Sequence, residues 1–264
     1  MIGSLRTGLA IAAFGLLTPP LALVQWIALR TGLCSADIVP RLWHQLILKC
    51  LGMRVRVVGG LSAKRPLLVA ANHVSWSDVM VLGAREDVRF IAKAEVAGWP
   101  GIGTIARLNR TVFVERERKA RTGETAGEIA SRLAGGEALV LFAEGTTSDG
   151  NVLLPFKSSL FGAARLAIDE AGAETVYIQP VALAYTRLHG MPLGRRGNVW
   201  ASWVGDRSLA PHLTALLRER ALDVELRFGE PVAFTTSSSR KETARQVEDA
   251  VRAMLRAIRA NPEA

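Results

Sequence analysis

Cysteine is nearly missing from this chain: Cys34 and Cys50 are the two in 264 residues, and they form no C-x-x-C. That excludes a disulfide framework and a cysteine-built zinc site, and it fits two reduced thiols in a cytosol-facing protein. There is no H-E-x-x-H, and the four histidines, His44, His73, His189 and His212, are scattered, so neither a metal nor a cofactor is expected. There is also no G-x-S-x-G elbow, which removes the serine nucleophile of the α/β hydrolases. Acidic residues are outnumbered, 24 against 33 Lys plus Arg, for a net charge of +9. Such a balance favours anionic headgroups and acidic partners. Nucleic acid is a poor fit, because aromatics make up only 6% of the chain and the basic residues are dispersed. The one dense run, Glu115–Arg121, mixes both signs and reads as a solvated helix start.

Charge is wholly absent from Thr7 to Leu29, between Arg6 and Arg30, a run long enough for one membrane span. Pro19-Pro20 stands in its middle, and a proline pair breaks a helix by removing N–H donors and crowding the preceding turn. Each half is then too short for a bilayer core of about 30 Å. The run is therefore expected to form a re-entrant helical hairpin dipping into one leaflet, with a kinked single span as the alternative. A cleaved signal peptide fits less well, since no small-residue cleavage pattern follows. Between Pro40 and Leu51, the residues Leu42, Trp43, Leu46, Ile47 and Cys50 recur at helical spacing, as in an interfacial helix. Residues 1–51 thus read as a membrane-anchoring segment and 52–264 as the main domain.

From Met53 onward strand-like and helix-like segments alternate. The pattern predicts strands at 54–58, 67–71, 88–92, 111–115, 138–142, 177–185, 199–204 and 224–228. It predicts helices at 77–83, 119–133, 158–171 and 209–218, then a terminal helix with Val247, Ala250, Val251, Met254, Leu255 and Ile258 on one stripe. The fold class expected is α/β, a mixed, largely parallel sheet flanked by helices. Gly101-Ile-Gly103-Thr-Ile-Ala106 has the form G-x-G-x-x-A, but no strand leads directly into it and no acidic residue follows at ribose distance. Its glycines are expected to permit a tight turn or a close backbone approach instead.

Two stretches carry chemistry. Asn72-His73-Val-Ser-Trp-Ser-Asp78 follows an apolar strand and precedes a helix, which puts His73 at the strand edge where open α/β sheets bind ligands. Asp78 can hold the imidazole Nδ1–H, leaving Nε2 free as a base; a structural histidine beside a helix-capping aspartate satisfies the same spacing. Phe142-Ala-Glu144-Gly145-Thr146-Thr147 runs from an apolar strand into a donor-rich turn, and Lys157 opens the next helix nearby; a plain turn would look the same.

Together these stretches resemble the 1-acylglycerol-3-phosphate acyltransferases of phospholipid synthesis and their lysolipid acyltransferase relatives. His73 and Asp78 match the family's N-H-x-x-x-x-D box. Gly103 through Arg116 looks like its second block, Phe142-Ala-Glu144-Gly145-Thr146 matches F-P-E-G-T-R, and Ile178-Gln-Pro180-Val181 matches the fourth. The four blocks occur in the family's order. The resemblance implies that His73, oriented by Asp78, takes the proton from a lysolipid hydroxyl as that oxygen attacks an acyl thioester. The donor would be acyl carrier protein or coenzyme A, both acidic. Arg116, Glu144, Gly145 and Thr146 become acceptor-site candidates, with Asn72, Thr147 and Lys157 beside them as substrate contacts. The chain departs from the pattern at Thr147, where the family has arginine. Threonine cannot replace a planar cation that binds a phosphate bidentately. This stretch looks closer to the subgroup that acylates lyso-ornithine lipid, a zwitterionic aminolipid without phosphate. Lys157 or Arg110 standing in for the lost guanidinium keeps lysophosphatidic acid as the alternative acceptor. The implied location is the cytoplasmic face of the inner membrane, anchored by residues 7–29. Two rivals of other classes are an ester or thioester hydrolase and a non-catalytic basic protein that binds membranes.

Overall fold

The computed structural model describes every residue except Met1, Cys34, 115–118, 170–171, Asp206 and 261–264, and no side chains over 2–6 or 119–126. Arg116, Cys34 and the start of the Glu115–Arg121 run therefore lie outside the described residues.

The chain opens with two helices, α1 (Ile2–Thr31) and α2 (Ile38–Leu51), followed by β1 (Met53–Val58) and β2 (Leu67–Ala71). Helix α3 (Ser77–Arg85) leads to β3 (Arg89–Lys93), a 3-10 turn, α4 (Ile102–Leu108) and β4 (Val112–Val114). Then come α5 (Lys119–Ala134), β5 (Ala138–Phe142), α6 (Gly162–Asp169), β6 (Val176–Leu188) and β7 (Met191–Pro192). The last elements are α7 (Gly194–Ala201), α8 (Leu209–Glu219), β8 (Leu222–Phe228), β9 (Val232–Phe234) and α9 (Arg240–Ala260). The strands form one sheet in the order β1-β8-β6-β2-β5-β3-β4, with β7 and β9 also paired to β6. Neighbours are parallel except where β6 meets β8, β7 and β9. The expected fold class, α/β with a mixed, largely parallel sheet and flanking helices, is the one observed.

Strand β2 is apolar on both faces because helices cover both. Leu67, Val69 and Ala71 join the core beneath α2, α3 and α8, while Leu68 and Ala70 join the core beneath α5, α6 and α9. In α9, Val247, Val251, Leu255 and Ile258 are the buried stripe. Gly101 has φ +73, and a β-carbon on Gly103 would lie 2.2 Å from the Ala97 carbonyl oxygen. The two glycines thus serve a tight turn and a close approach, as expected.

Two expectations are corrected. Residues 7–29 do not form a hairpin: α1 continues through Pro19 and Pro20 as one helix. Proline in a helix interior costs about 3 kcal/mol, and tertiary packing outweighs it here. Before the prolines, Phe14 packs on Trp43 of α2 at 6.1 Å between ring centroids and Trp43 Nε1 donates to Thr18 Oγ1 at 3.1 Å. After them, Gln25 Nε2 donates to Ala36 O at 2.7 Å and Leu108 O at 3.0 Å, so the helix is braced on both sides of the pair. Over Thr7–Thr31 this helix is long and apolar enough to cross a membrane, and it leaves Leu9, Leu16, Leu23 and Trp26 exposed. The second correction concerns 199–204, where no strand forms. Residues 194–201 are α7, whose C-terminal carbonyls are capped by Arg207: Nη1 donates to Val199 O and Ser202 O at 3.0 and 2.9 Å. Alternating Val199, Ala201 and Trp203 imitate a strand, but a capping cation decides the outcome.

Candidate active site

Strand β2 ends at Ala71, and its next two residues stand at the C-terminal edge of the sheet. Asn72 is 3% exposed, and its amide is engaged at both ends by β6. Its Nδ2 donates to Leu183 O at 2.9 Å, and its Oδ1 accepts Leu183 N–H at 2.8 Å. Asn72 was expected at the substrate; with both groups engaged it instead pins the end of β2 to β6, which fixes where His73 sits.

His73 and Asp78 do meet. The imidazole Nδ1 lies 2.8 Å from Asp78 Oδ2, which also accepts the backbone N–H groups of Val74 at 2.7 Å and Ser75 at 2.9 Å. Asp78 is in the first turn of α3, where the helix dipole favours a carboxylate, and it is fully buried. An acceptor-only carboxylate on Nδ1 makes that nitrogen the donor and leaves Nε2 with a lone pair. The imidazole is 18% exposed and stacks on Phe142 at 3.9 Å and 15°. It is thus held in one plane with its outer nitrogen free to take a proton.

The turn after β5 is built around a buried carboxylate. Glu144 Oε1 accepts the His73 N–H at 2.6 Å and Oε2 accepts the Leu154 N–H at 2.8 Å, tying the histidine's main chain to the loop beyond the turn. Burial pushes its pKa up to about 7, opposed by those two backbone donors. Gly145 has φ +74, and a β-carbon there would lie 3.1 Å from Lys157 Nζ, so the ammonium lies directly over the turn. Thr146 is exposed. Thr147 Oγ1 donates to Trp203 O at 2.5 Å, so its hydroxyl braces the segment after α7. Arg110 lies elsewhere: it precedes β4 and pairs with Glu137, which precedes β5, at the N-terminal edge of the sheet. It is out of reach of the turn it was expected to complement. Among the described residues there is no cluster of histidine, cysteine and carboxylate side chains able to hold a metal. A cavity of about 600 Å³ opens on the β6 side, lined in part by Asn72, Val74, Ser148, Leu183 and Tyr185. It touches both neighbours of His73 but not the imidazole.

Sequence reasoning missed Tyr185. Its hydroxyl donates to Asp78 Oδ1 at 2.6 Å and lies 2.7 Å from Ser77 Oγ, which in turn donates to Ser75 Oγ at 3.1 Å. Burial and the neighbouring Asp78 raise its pKa well above the usual phenol value, so it stays a donor. A signal existed. Val181, Leu183 and Tyr185 alternate onto one face of β6, and a buried tyrosine needs a hydroxyl partner. Tyr185→Phe is expected to lower kcat about tenfold, about 1.4 kcal/mol of barrier, and to leave KM unchanged. Steady-state kinetics check this, and a raised KM at normal kcat would count against a positioning role.

Comparison with known proteins follows the same residues. A family model described as Acyltransferase matches 54–184, which includes β2, both turns and Val176–Ala184 of β6. The chain is 51% identical over 255 residues to a lyso-ornithine lipid O-acyltransferase of Brucella abortus (strain 2308), covering 97% of this chain and 96% of that one. It is 49% identical to a protein of the same name from Rhizobium meliloti (strain 1021), covering 88% and 80%. It is 31% identical to a 1-acyl-sn-glycerol-3-phosphate acyltransferase of Neisseria gonorrhoeae, covering 74% of each. The crystal structure of the 1-acyl-sn-glycerophosphate acyltransferase from Thermotoga maritima shares the fold, with TM-score 0.62 and 22% identity over 97% of both chains.

Proposed function

The chain belongs to the acyltransferase family, and from that premise we propose that it moves a fatty acyl group from a thioester to the free hydroxyl of lyso-ornithine lipid. The observation that carries the reading is the His73–Asp78 pair at an open sheet edge, with the tautomer that leaves Nε2 basic. In the step, Nε2 takes the proton of the acceptor hydroxyl, and that oxygen attacks the thioester carbonyl. The tetrahedral intermediate collapses with loss of the thiolate, which takes the proton back from the imidazolium. Asp78 stabilises that imidazolium, and the buried Glu144 holds the His73 main chain in place. Gly145, Thr146 and Lys157 border the acceptor headgroup, with Arg116 as a further contact. Acyl carrier protein or coenzyme A supplies the thioester, and the net charge of +9 suits either acidic donor. Residues 1–51 anchor the enzyme at the cytoplasmic face of the inner membrane through the apolar stretch 7–29 of α1, and 52–264 form the transferase domain.

Thr147 favours the aminolipid. Its hydroxyl is taken by Trp203 O, so position 147 itself offers a phosphate neither a charge nor a free donor. A second reading, lysophosphatidic acid as acceptor, is favoured by Lys157 over Gly145. The two are separated by offering purified protein one acyl-acyl carrier protein donor and equal amounts of both lysolipids, with products read by mass spectrometry. Ornithine lipid as the main product is expected. Phosphatidic acid as the main product would replace the reading with the second, and free fatty acid without acylated lipid would make the protein a hydrolase.

A further inference from the structure

We infer that Trp99 and Trp203 form an aromatic wall across the mouth of the site that receives the ammonium group of the acceptor headgroup. The inference rests on the reading above that the acceptor is an aminolipid.

Trp203 is held to the catalytic edge at both of its main-chain polar groups. Its N–H donates to Val74 O at 2.9 Å, next to the catalytic histidine, and its carbonyl accepts the Thr147 hydroxyl at 2.5 Å. Its indole Nε1 donates to Arg207 O at 2.8 Å, which fixes the ring as well. Trp99 comes from the opposite side, in the connection between β3 and α4. The two rings meet edge to face, 6.0 Å between centroids at 87°. In the sheet order β6-β2-β5-β3, the ends of β2 and β5 lie between the elements that carry these tryptophans. Those two strand ends hold His73 and Glu144, so the indole contact spans the site.

Both rings are partly exposed. Among the described residues three other rings already carry a protein cation: Trp26 under Arg30, Tyr177 under Lys64 and Phe234 under Arg165. Among the described residues no protein cation covers Trp99 or Trp203 in the same way. An uncovered indole face beside a catalytic edge attracts an ammonium through its quadrupole, most strongly when the cation is partly desolvated. Thr147 fits this use. An arginine at that position would repel the ammonium, whereas threonine adds no charge and locks the backbone of the tryptophan that attracts it.

The test compares kcat/KM for two acceptors of equal chain length in the same mixed micelles: lyso-ornithine lipid and its δ-N-acetyl derivative, which lacks the charge. Wild type, Trp203→Leu, Trp99→Leu and Trp203→Phe are measured. Each leucine variant is expected to reduce the preference for the charged acceptor by about three- to thirtyfold, the span of an aromatic–cation contact from exposed to desolvated sites. Trp203→Phe is expected to keep most of that preference. If both acceptors lose activity in equal proportion, or the ratio does not move, the indoles only pack and the inference falls while the aminolipid reading stands. A wild-type enzyme that acylates only lysophosphatidic acid overturns both.

Discussion

His73→Ala is expected to lower acyl transfer by about 10²–10⁴-fold, the usual contribution of a positioned general base, while the protein stays folded. The geometry separates the two outcomes. The imidazole is 18% exposed and its main packing partner is the stacked Phe142, so truncation removes one ring contact, about 0.5–1.5 kcal/mol. Asp78 is not orphaned by the change, because the N–H groups of Val74 and Ser75 still reach the same oxygen and Tyr185 the other. Glu144 holds residue 73 through its backbone N–H, which alanine retains. Thermal melting by circular dichroism and a radiolabelled acyl-transfer assay on the same sample check both halves. A folded variant with near-normal turnover would remove His73 from the chemistry.

What was legible in the sequence were the parts that local physics decides. Strands β2 and β5 were expected at 67–71 and 138–142 and lie there, because short apolar runs bounded by turn residues fit a strand buried on both faces. The His73–Asp78 contact was legible as well, since five residues bridging a strand end and a helix start leave few other geometries. Long-range contacts were not. The proline pair looked decisive over residues 7–29, but Trp43 of α2 braces the helix before it and the Gln25 contacts to Ala36 and Leu108 brace it after. The alternation at Val199, Ala201 and Trp203 looked like a strand because nothing local announces that Arg207 will cap a helix there. Asn72 looked like a substrate contact because its partner, Leu183, is far along the chain. Tyr185 and Trp203 share that reason: each reaches the site through a contact spanning more than fifty residues. The departure at Thr147 could be read as a lost charge, but the backbone it holds could not.

Asp78→Asn should slow transfer by roughly 10³-fold with little change in stability, and Asp78→Ala should cost stability as well. The difference follows from the donors around the carboxylate. In the asparagine variant the side-chain oxygen can keep His73 Nδ1–H, Val74 N–H and Ser75 N–H. The new NH₂ then faces Tyr185, whose hydroxyl accepts it and turns its own proton to Ser77 Oγ, 2.7 Å away. Geometry and tautomer survive; the negative charge beside the imidazolium does not. A pair of opposite charges about 4 Å apart at an effective dielectric near 20 is worth about 4 kcal/mol, which is roughly 10³-fold in rate. Alanine instead strands the donors of His73, Val74 and Ser75 around a position that is fully buried, and each buried donor left unmade costs about 1–3 kcal/mol. Acceptor KM should stay near wild type in the asparagine variant, since Asp78 is 0% exposed and lies behind the imidazole. Pre-steady-state acyl transfer and chemical denaturation separate these effects. An asparagine variant that keeps full kcat would mean the carboxylate serves only to shape the turn, and a general-base mechanism supported by its charge would have to be abandoned.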